Sequence, residues 1–227
     1  MIPLLLSSAL ATPRLPTLPS GRYALELRVA TFATAPWFPT LRGGSTSHVL
    51  VDITGGEGDA ALHSRVCRVD VDGGKIAHIE VPAAFLAAQV PRSVPAELGA
   101  GWLRVDLGLD VVGYAGTGPL PTDLDTTTDW DGDGKPAATI LVHIPALGTA
   151  EMYVVQAAQL VLSGPIDGGG ATGTVEVVRF EQATLGARPG WMAGKTQVRV
   201  DPKRSGFTLL PIDPDGTCAD VLTRNGS

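Results

Sequence analysis

Apolar and polar residues alternate over long stretches of this 227-residue chain, and that alternation constrains the fold more than any other feature. In the stretch YALELRVATF, Leu25, Leu27 and Val29 fall on one face of an extended chain. Glu26 and Arg28 fall on the opposite face, as expected for a strand with one buried side. Later stretches alternate in the same way, and 28 Gly and 18 Pro supply turns between them. The pattern predicts an all-β protein.

Turn residues divide the alternating stretches into roughly nine to eleven strands, which predicts an antiparallel barrel or sandwich. Asp72 and Gly73 form a dipeptide that suits a two-residue type I′ hairpin turn. The glycine run at residues 168–170 predicts the tip of a second, longer hairpin. One short helix is predicted, because Pro82 suits a first helical position and Pro91 would end the helix.

Four segments follow from this pattern. Residues 1–20 resemble a signal segment and tether, and residues 21–115 form a first β half. Residues 116–137 are an acidic, turn-rich connection, and residues 138–227 form a second β half. The similar order of strands and loops suggests two related halves within one continuous domain.

The N-terminal segment indicates export. Residues 2–6 are apolar, and Ala9 and Ala11 give the small-x-small form that signal peptidase accepts, although a frayed tail is the alternative. We therefore expect a periplasmic, surface or secreted protein. The two cysteines, Cys67 and Cys218, are compatible with one disulfide in such a protein, and two buried thiols are the alternative.

Charge and hydropathy argue against nucleic-acid binding and against a transmembrane helix. The formal net charge is −6, and no cluster of Lys and Arg suits a phosphate backbone, so we expect no nucleic-acid binding. No later apolar run approaches the about 18 residues of a membrane-spanning helix, so we expect no transmembrane segment.

The stretch DWDGDGKP carries the clearest chemical motif. Asp129, Asp131 and Asp133 stand at positions one, three and five, with Gly134 at position six, as in a calcium-binding loop. Lys135 would offer its backbone carbonyl at position seven. Crowded carboxylates repel one another unless a cation neutralises them. The motif predicts a structural Ca²⁺ site, with a solvated acidic turn as the alternative.

The loop does not continue as an EF-hand, because position twelve is Ile140 and a strand pattern follows. The remaining ligands must therefore come from elsewhere in the chain. Asp123 and Asp125, just upstream in the sequence, are the candidates.

The segments LPTDLDTTTDWDGDGKPAATILVHI, MYVVQAAQLVLSG and GTCADV resemble a mostly uncharacterised family of exported proteins and lipoproteins of Gram-negative bacteria. That family has an aspartate-rich D-x-D-G-D-G-K-P loop. The resemblance implies a β-rich envelope or secreted protein in which Asp129, Asp131 and Asp133 form the acidic loop. It implies no activity. Where the family usually has Gly after the Pro, this chain has Ala137.

Catalytic motifs are sparse, so we expect a binding protein. Trp37, Phe38 and Trp102 could line a barrel mouth and bind a small apolar ligand. The sequence thus predicts an exported, calcium-stabilised, lipocalin-like β protein that binds an apolar ligand or an envelope component. A structural or adhesive surface protein is the first alternative, and a hydrolase with an unrecognised site is the second.

Overall fold

A computed structural model of the protein describes residues 16–34, 40–74, 77–145, 147–193 and 197–224. The signal-like residues 1–15 lie outside this part of the chain. The predicted all-β fold and strand number are confirmed, because eleven antiparallel strands form one large sheet that closes into a ring. The strands are β1 (Gly21–Thr34), β2 (Leu41–Thr54), β3 (Ala61–Asp72), β4 (His78–Glu80), β5 (Arg92–Gly99), β6 (Trp102–Val112), β7 (Ala138–Ile144), β8 (Gly148–Asp167), β9 (Gly170–Arg188), β10 (Gln197–Val200) and β11 (Gly206–Pro211).

Eight strands close the ring in the order β1, β2, β3, β5, β6, β8, β9, β11 and back to β1. Both halves of the sequence contribute strands to this one sheet. Closure removes most of the free strand edges that an open sheet would expose. The ring is therefore barrel-like, which is one of the two architectures that the sequence predicted.

Strands β3 and β8 each pair with two different strands along one edge. One edge of β8 pairs first with β7 and then with β6, while its other edge pairs with β9. One edge of β3 pairs with β5 near its start and with β4 near its end. Because β4 also pairs with β7, these two short strands close the sheet at the end opposite to β5 and β6.

The main core fills the eight-stranded part of the ring. It contains buried apolar side chains from all eight of its strands, which include Leu25 of β1, Leu103 of β6, Leu162 of β8 and Leu209 of β11. Burial of such side chains is the dominant favourable term in folding. Leu18, in the segment expected to be a tether, also packs into this core.

Hairpin predictions were confirmed at one site and corrected at another. The β8–β9 hairpin turns at Gly168 and Gly169, whose φ values of +56° and +80° favour glycine. The β3–β4 hairpin forms, but its last pair is Asp72 with His78, so its connection covers residues 73–77. The predicted two-residue turn is therefore wrong. The Asp72 side chain instead accepts a hydrogen bond from the Gly74 N–H at 2.8 Å.

Two short helices accompany the sheet. The predicted helix is α1 (Ala83–Ala88), and a second, α2 (Cys218–Arg224), was not predicted. A disulfide joins Cys67 of β3 to Cys218 across a sequence separation of 151 residues, which confirms the expected pairing. It fastens α2 to the outside of the ring, where Val221 is buried. Neither helix has the length and apolar character needed to cross a membrane, and no other described helix has them.

Candidate metal centre

The acidic loop lies where one edge of β8 changes partner. Val112 at the end of β6 pairs with Gln156, and Ala138 at the start of β7 pairs with Val154. The intervening chain must therefore leave the sheet and return to almost the same point. It leaves at Gly113, whose φ is +79° and whose missing Cβ would collide with the Val154 carbonyl oxygen. Only glycine fits this position without a shift of the backbone.

Apolar side chains anchor the loop on both faces of the sheet. Trp130, inside the loop, packs in a cluster with Val154, and its ring lies 5.3 Å from that of Phe85 in α1. Tyr114 packs in a second cluster with Val155. Consecutive residues of a strand point to opposite faces. The two clusters therefore pack against opposite faces of β8 and fix the position of the loop.

The loop gathers the three carboxylates of the motif. Asp129, Asp131 and Asp133 each offer an oxygen, and these atoms all lie within 4.8 Å of one another. Two oxygens on opposite sides of a Ca²⁺, each at about 2.3 to 2.6 Å, are about 5 Å apart. The spacing of the carboxylates is therefore compatible with one shared cation.

Backbone N–H groups orient two of these carboxylates. Asp129 Oδ1 accepts hydrogen bonds from the N–H groups of Gly132 at 2.8 Å and Asp133 at 3.1 Å, and Asp129 Oδ2 accepts one from Gly134 at 2.9 Å. Asp133 Oδ1 accepts one from the Lys135 N–H at 2.9 Å. A solvated acidic turn makes the same kind of bond. These contacts alone do not distinguish the metal site from its alternative.

Asp131 differs from the carboxylates of an exposed acidic turn. Its side chain is buried, with the residue only 8% exposed, and its Oδ2 accepts a hydrogen bond from the Thr139 N–H at 2.9 Å. Its Oδ1 is buried and has no hydrogen-bond partner among the described residues. A carboxylate in a solvated turn would face water, whereas an unpaired, buried carboxylate oxygen is costly unless a cation or a proton neutralises the group.

The pKa values reflect this arrangement. Burial raises the pKa of Asp131, the Thr139 N–H opposes that effect, and the charges of Asp133 and Asp129 raise the pKa further. Burial would also raise the pKa of Asp133, but the side chain of Thr139 and the backbone and charge of Lys135 outweigh it, so this pKa is lowered. The ionised form is thus disfavoured at the most buried carboxylate of the three.

Lys135 supplies the nearest positive charge. Its Nζ lies 2.9 Å from Glu151 Oε1 and 3.4 Å from Asp133 Oδ2. The hydrogen bond between Lys135 and Glu151 raises the pKa of the lysine and lowers that of the glutamate. The ion pairs of the described residues include none to Asp129 or Asp131. One ammonium group therefore leaves two of the three loop carboxylates without a counter-charge.

Asp123 and Asp125 were predicted to complete the ligand set, but they lie outside the group of carboxylates whose oxygens are within 4.8 Å of one another. The reason is a turn of 3-10 helix at Leu124–Thr126. Asp123 caps this turn by accepting a hydrogen bond from the Thr126 N–H at 3.1 Å, and Asp125 lies exposed within it.

Sequence reasoning missed Thr139 and Glu151. Thr139 lies in the alternating strand pattern of β7, where it reads as an ordinary strand residue. Glu151 reaches the loop only because it pairs with Leu141 in the β7–β8 ladder. No spacing within the motif indicates either contact.

Of the three aromatic residues predicted to bind a ligand, Trp102 lies in the described part of the chain. Trp37 and Phe38 lie outside the described residues. Trp102 is 48% exposed, next to the buried Leu103, so it points outward from β6, which corrects the prediction. Its Nε1–H donates a hydrogen bond to Ser163 Oγ at 2.9 Å. Trp102 borders an open surface cleft of about 730 Å³.

No protein-family model, curated protein or solved structure matches this chain significantly. The fold and the loop geometry therefore carry the functional argument. One detail bears on the loop motif: Ala137 has a φ of +63°, in the left-handed region that favours glycine. This is the position at which the resembled family usually has Gly.

Proposed function

We propose that the protein is an exported β protein that binds one Ca²⁺ through its 129–135 loop and acts by binding an envelope component, without catalysis. Asp129, Asp131 and Asp133 supply side-chain oxygens, and Lys135 supplies its backbone carbonyl. The buried Asp131 Oδ1, which has no hydrogen-bond partner among the described residues, is the observation that carries the metal assignment. Membership of the resembled Gram-negative family remains a prediction.

The donor set favours calcium over other ions. All the donors are oxygens, which suit hard cations, and carboxylates with a backbone carbonyl form the usual calcium set. Magnesium requires a tighter octahedral arrangement at about 2.0 to 2.1 Å and retains more of its water. The loop oxygens all lie within 4.8 Å of one another, a spacing that an ion of the size of Ca²⁺ can bridge.

The proposed role of the ion is to stabilise the junction between β6 and β7. The loop spans the point where β8 changes partner, and Asp131 also holds the Thr139 N–H near the start of β7. An ion that binds the folded loop and not the unfolded chain stabilises the fold by mass action. Calcium would thereby secure the end of the sheet that β4 and β7 close.

An envelope component fits the structure better than an apolar ligand inside the ring. Buried side chains from all eight ring strands meet in one core, so they occupy the interior. Trp102 offers an aromatic surface on the outside instead. A purely structural or adhesive role remains the first alternative. Titration with an apolar fluorescent probe tests for a ligand site inside the ring. Saturable binding that Trp102→Ala leaves unchanged would indicate such an interior site.

The hydrolase alternative receives little support. His48 Nε2 lies 2.9 Å from Asp70 Oδ2, which is the kind of pair a catalytic site needs. His48 is buried, however, and Arg68 binds the same carboxylate at 2.9 Å. Neither His48 nor Asp70 lines either of two surface clefts found among the described residues, one bordering β5 and the other β11.

Calorimetric titration of chelator-treated protein with calcium tests the metal assignment. We expect one site per chain, with a dissociation constant of about 10⁻⁴ to 10⁻³ M or tighter, the range of extracellular calcium modules. Terbium should bind the same loop and show emission when Trp130 is excited, and excess calcium should abolish that emission. Absence of both binding heat and terbium emission at millimolar ion would overturn the proposal.

A further inference from the structure

Two buried side-chain atoms lack a hydrogen-bond partner among the described residues, and both belong to the same site. They are Asp131 Oδ1 and the hydroxyl oxygen of Thr139, whose residue is only 1% exposed. Buried polar side-chain atoms are hydrogen-bonded in the large majority of cases. Two such exceptions in residues that hydrogen-bond to each other point to a shared cause.

Thr139 links two of the three carboxylates. Its backbone N–H donates to Asp131 Oδ2 at 2.9 Å. Its hydroxyl lowers the pKa of Asp133, which places it near that carboxylate, but it makes no hydrogen bond of normal geometry. Thr139 therefore stands at the base of the loop, between the carboxylates that the proposed ion would draw together.

The presence of threonine at position 139 is informative because packing alone does not require a hydroxyl group there. Thr139 lies on β7 after Ala138, in a buried part of the strand. Valine has the same shape as threonine and a comparable strand preference, and it would place no unsatisfied hydroxyl in the interior. A hydroxyl at this position needs a use that valine cannot supply.

We propose that Thr139 is a positioning residue of the calcium site: its O–H donates to the Asp133 carboxylate and holds that carboxylate toward the bound ion. This inference rests on the calcium site proposed above. Binding of the ion shifts Asp133 enough to complete the hydrogen bond, so the hydroxyl has a good partner only in the calcium-loaded protein. A hydrogen bond to a charged group is stronger than one between neutral groups.

The test compares calcium affinity and thermal stability of Thr139→Val and Thr139→Ser with those of the wild type. We expect Thr139→Val to bind calcium at least about tenfold more weakly, because it lacks a charge-assisted hydrogen bond. Its melting temperature in excess chelator should equal or exceed that of the wild type. Thr139→Ser should retain near wild-type affinity. Thr208→Val, on β11, controls for the general effect of valine in a strand.

The outcomes separate the two proposals. Wild-type affinity in Thr139→Val overturns the role of Thr139 and leaves the calcium site intact. Absence of calcium binding in the wild type overturns both. If Thr139→Val does not fold, Thr139→Ala replaces it: weak binding by the alanine variant with retention by the serine variant supports the inference, and equal binding by the two overturns it.

Discussion

Replacement of Asp131 by asparagine should leave the protein at least as stable as the wild type without calcium, but less stable than the wild type with calcium. The Thr139 N–H donates to Asp131 Oδ2 at 2.9 Å, and an asparagine carbonyl can accept the same hydrogen bond. The variant therefore keeps the structural contact but loses the charge. Because burial disfavours the ionised carboxylate, as the raised pKa of Asp131 shows, we expect Asp131→Asn in chelator to be as stable as the wild type or more stable.

With calcium present, the order should invert. An ion at one hundred times its dissociation constant stabilises a folded protein by about 2.7 kcal/mol. For a chain of 227 residues, each kcal/mol shifts the melting temperature by about 2 to 4 °C. We therefore expect calcium to raise the wild-type melting temperature by about 5 to 10 °C. Asp131→Asn, which offers the ion a neutral and poorer ligand, should gain less than about 2 °C.

Differential scanning calorimetry in excess EGTA and in excess calcium measures both effects. Asp72→Asn is the matched control, since Asp72 also accepts a backbone hydrogen bond in a glycine-containing turn but is exposed. The reasoning fails if Asp131→Asn is destabilised equally in chelator and in calcium. That result would make Asp131 a structural cap of the loop with no role in binding a cation.

Three further predictions concern the fold. Replacement of Cys67 and Cys218 by serine should cost up to about 5 kcal/mol in chemical denaturation, because the bridge closes a long loop. Gly113→Ala should cost more than about 3 kcal/mol, since its Cβ meets the backbone of β8, and calcium affinity should fall with it. Arg92 donates to Asp110, whose pKa burial raises and Arg92 lowers. Arg92→Met should therefore destabilise the protein by about 1 kcal/mol near pH 7, a value reduced for solvent screening. It should destabilise less as the pH falls through the raised Asp110 pKa and the carboxyl group takes up a proton, so equal losses near pH 7 and pH 4 in denaturant titrations would contradict it.

The sequence predicted the strands because their burial pattern is local. Along β1, for example, Leu25, Leu27 and Val29 are buried and Arg28 is exposed, as the alternation indicated. The order of strands in the ring was not predictable, because it depends on pairings between distant residues. Nothing in the local sequence shows that β11 inserts between β1 and β9.

In the candidate site, too, the local features were predictable from the sequence and the contacts between distant residues were not. Asp129, Asp131 and Asp133 converge because glycines bend a short backbone, which is a local property. Glu151 approaches through a strand pairing, and the burial of Asp131 depends on how the loop returns to β8. The prediction of a two-residue turn at Asp72 was wrong for a related reason, since the register of this hairpin is set by the pairing of β4 with β7 as well as by the turn itself.

The position of the loop explains why a cation there would affect more than the loop. β6 and β7 meet β8 only two residues apart, at Gln156 and Val154, so the chain makes a wide excursion that begins and ends at the same edge. Closing such an excursion costs conformational entropy that the loop must recover through its own contacts. Trp130 and Tyr114 supply apolar contacts, but the loop carboxylates oppose closure through their mutual repulsion. Lys135 offsets part of that repulsion at Asp133, and a divalent ion would offset the part that remains at Asp129 and Asp131. Bound calcium would therefore remove an electrostatic obstacle to bringing β7 against β8, and it would favour the pairing of β7 with β4 in the same step.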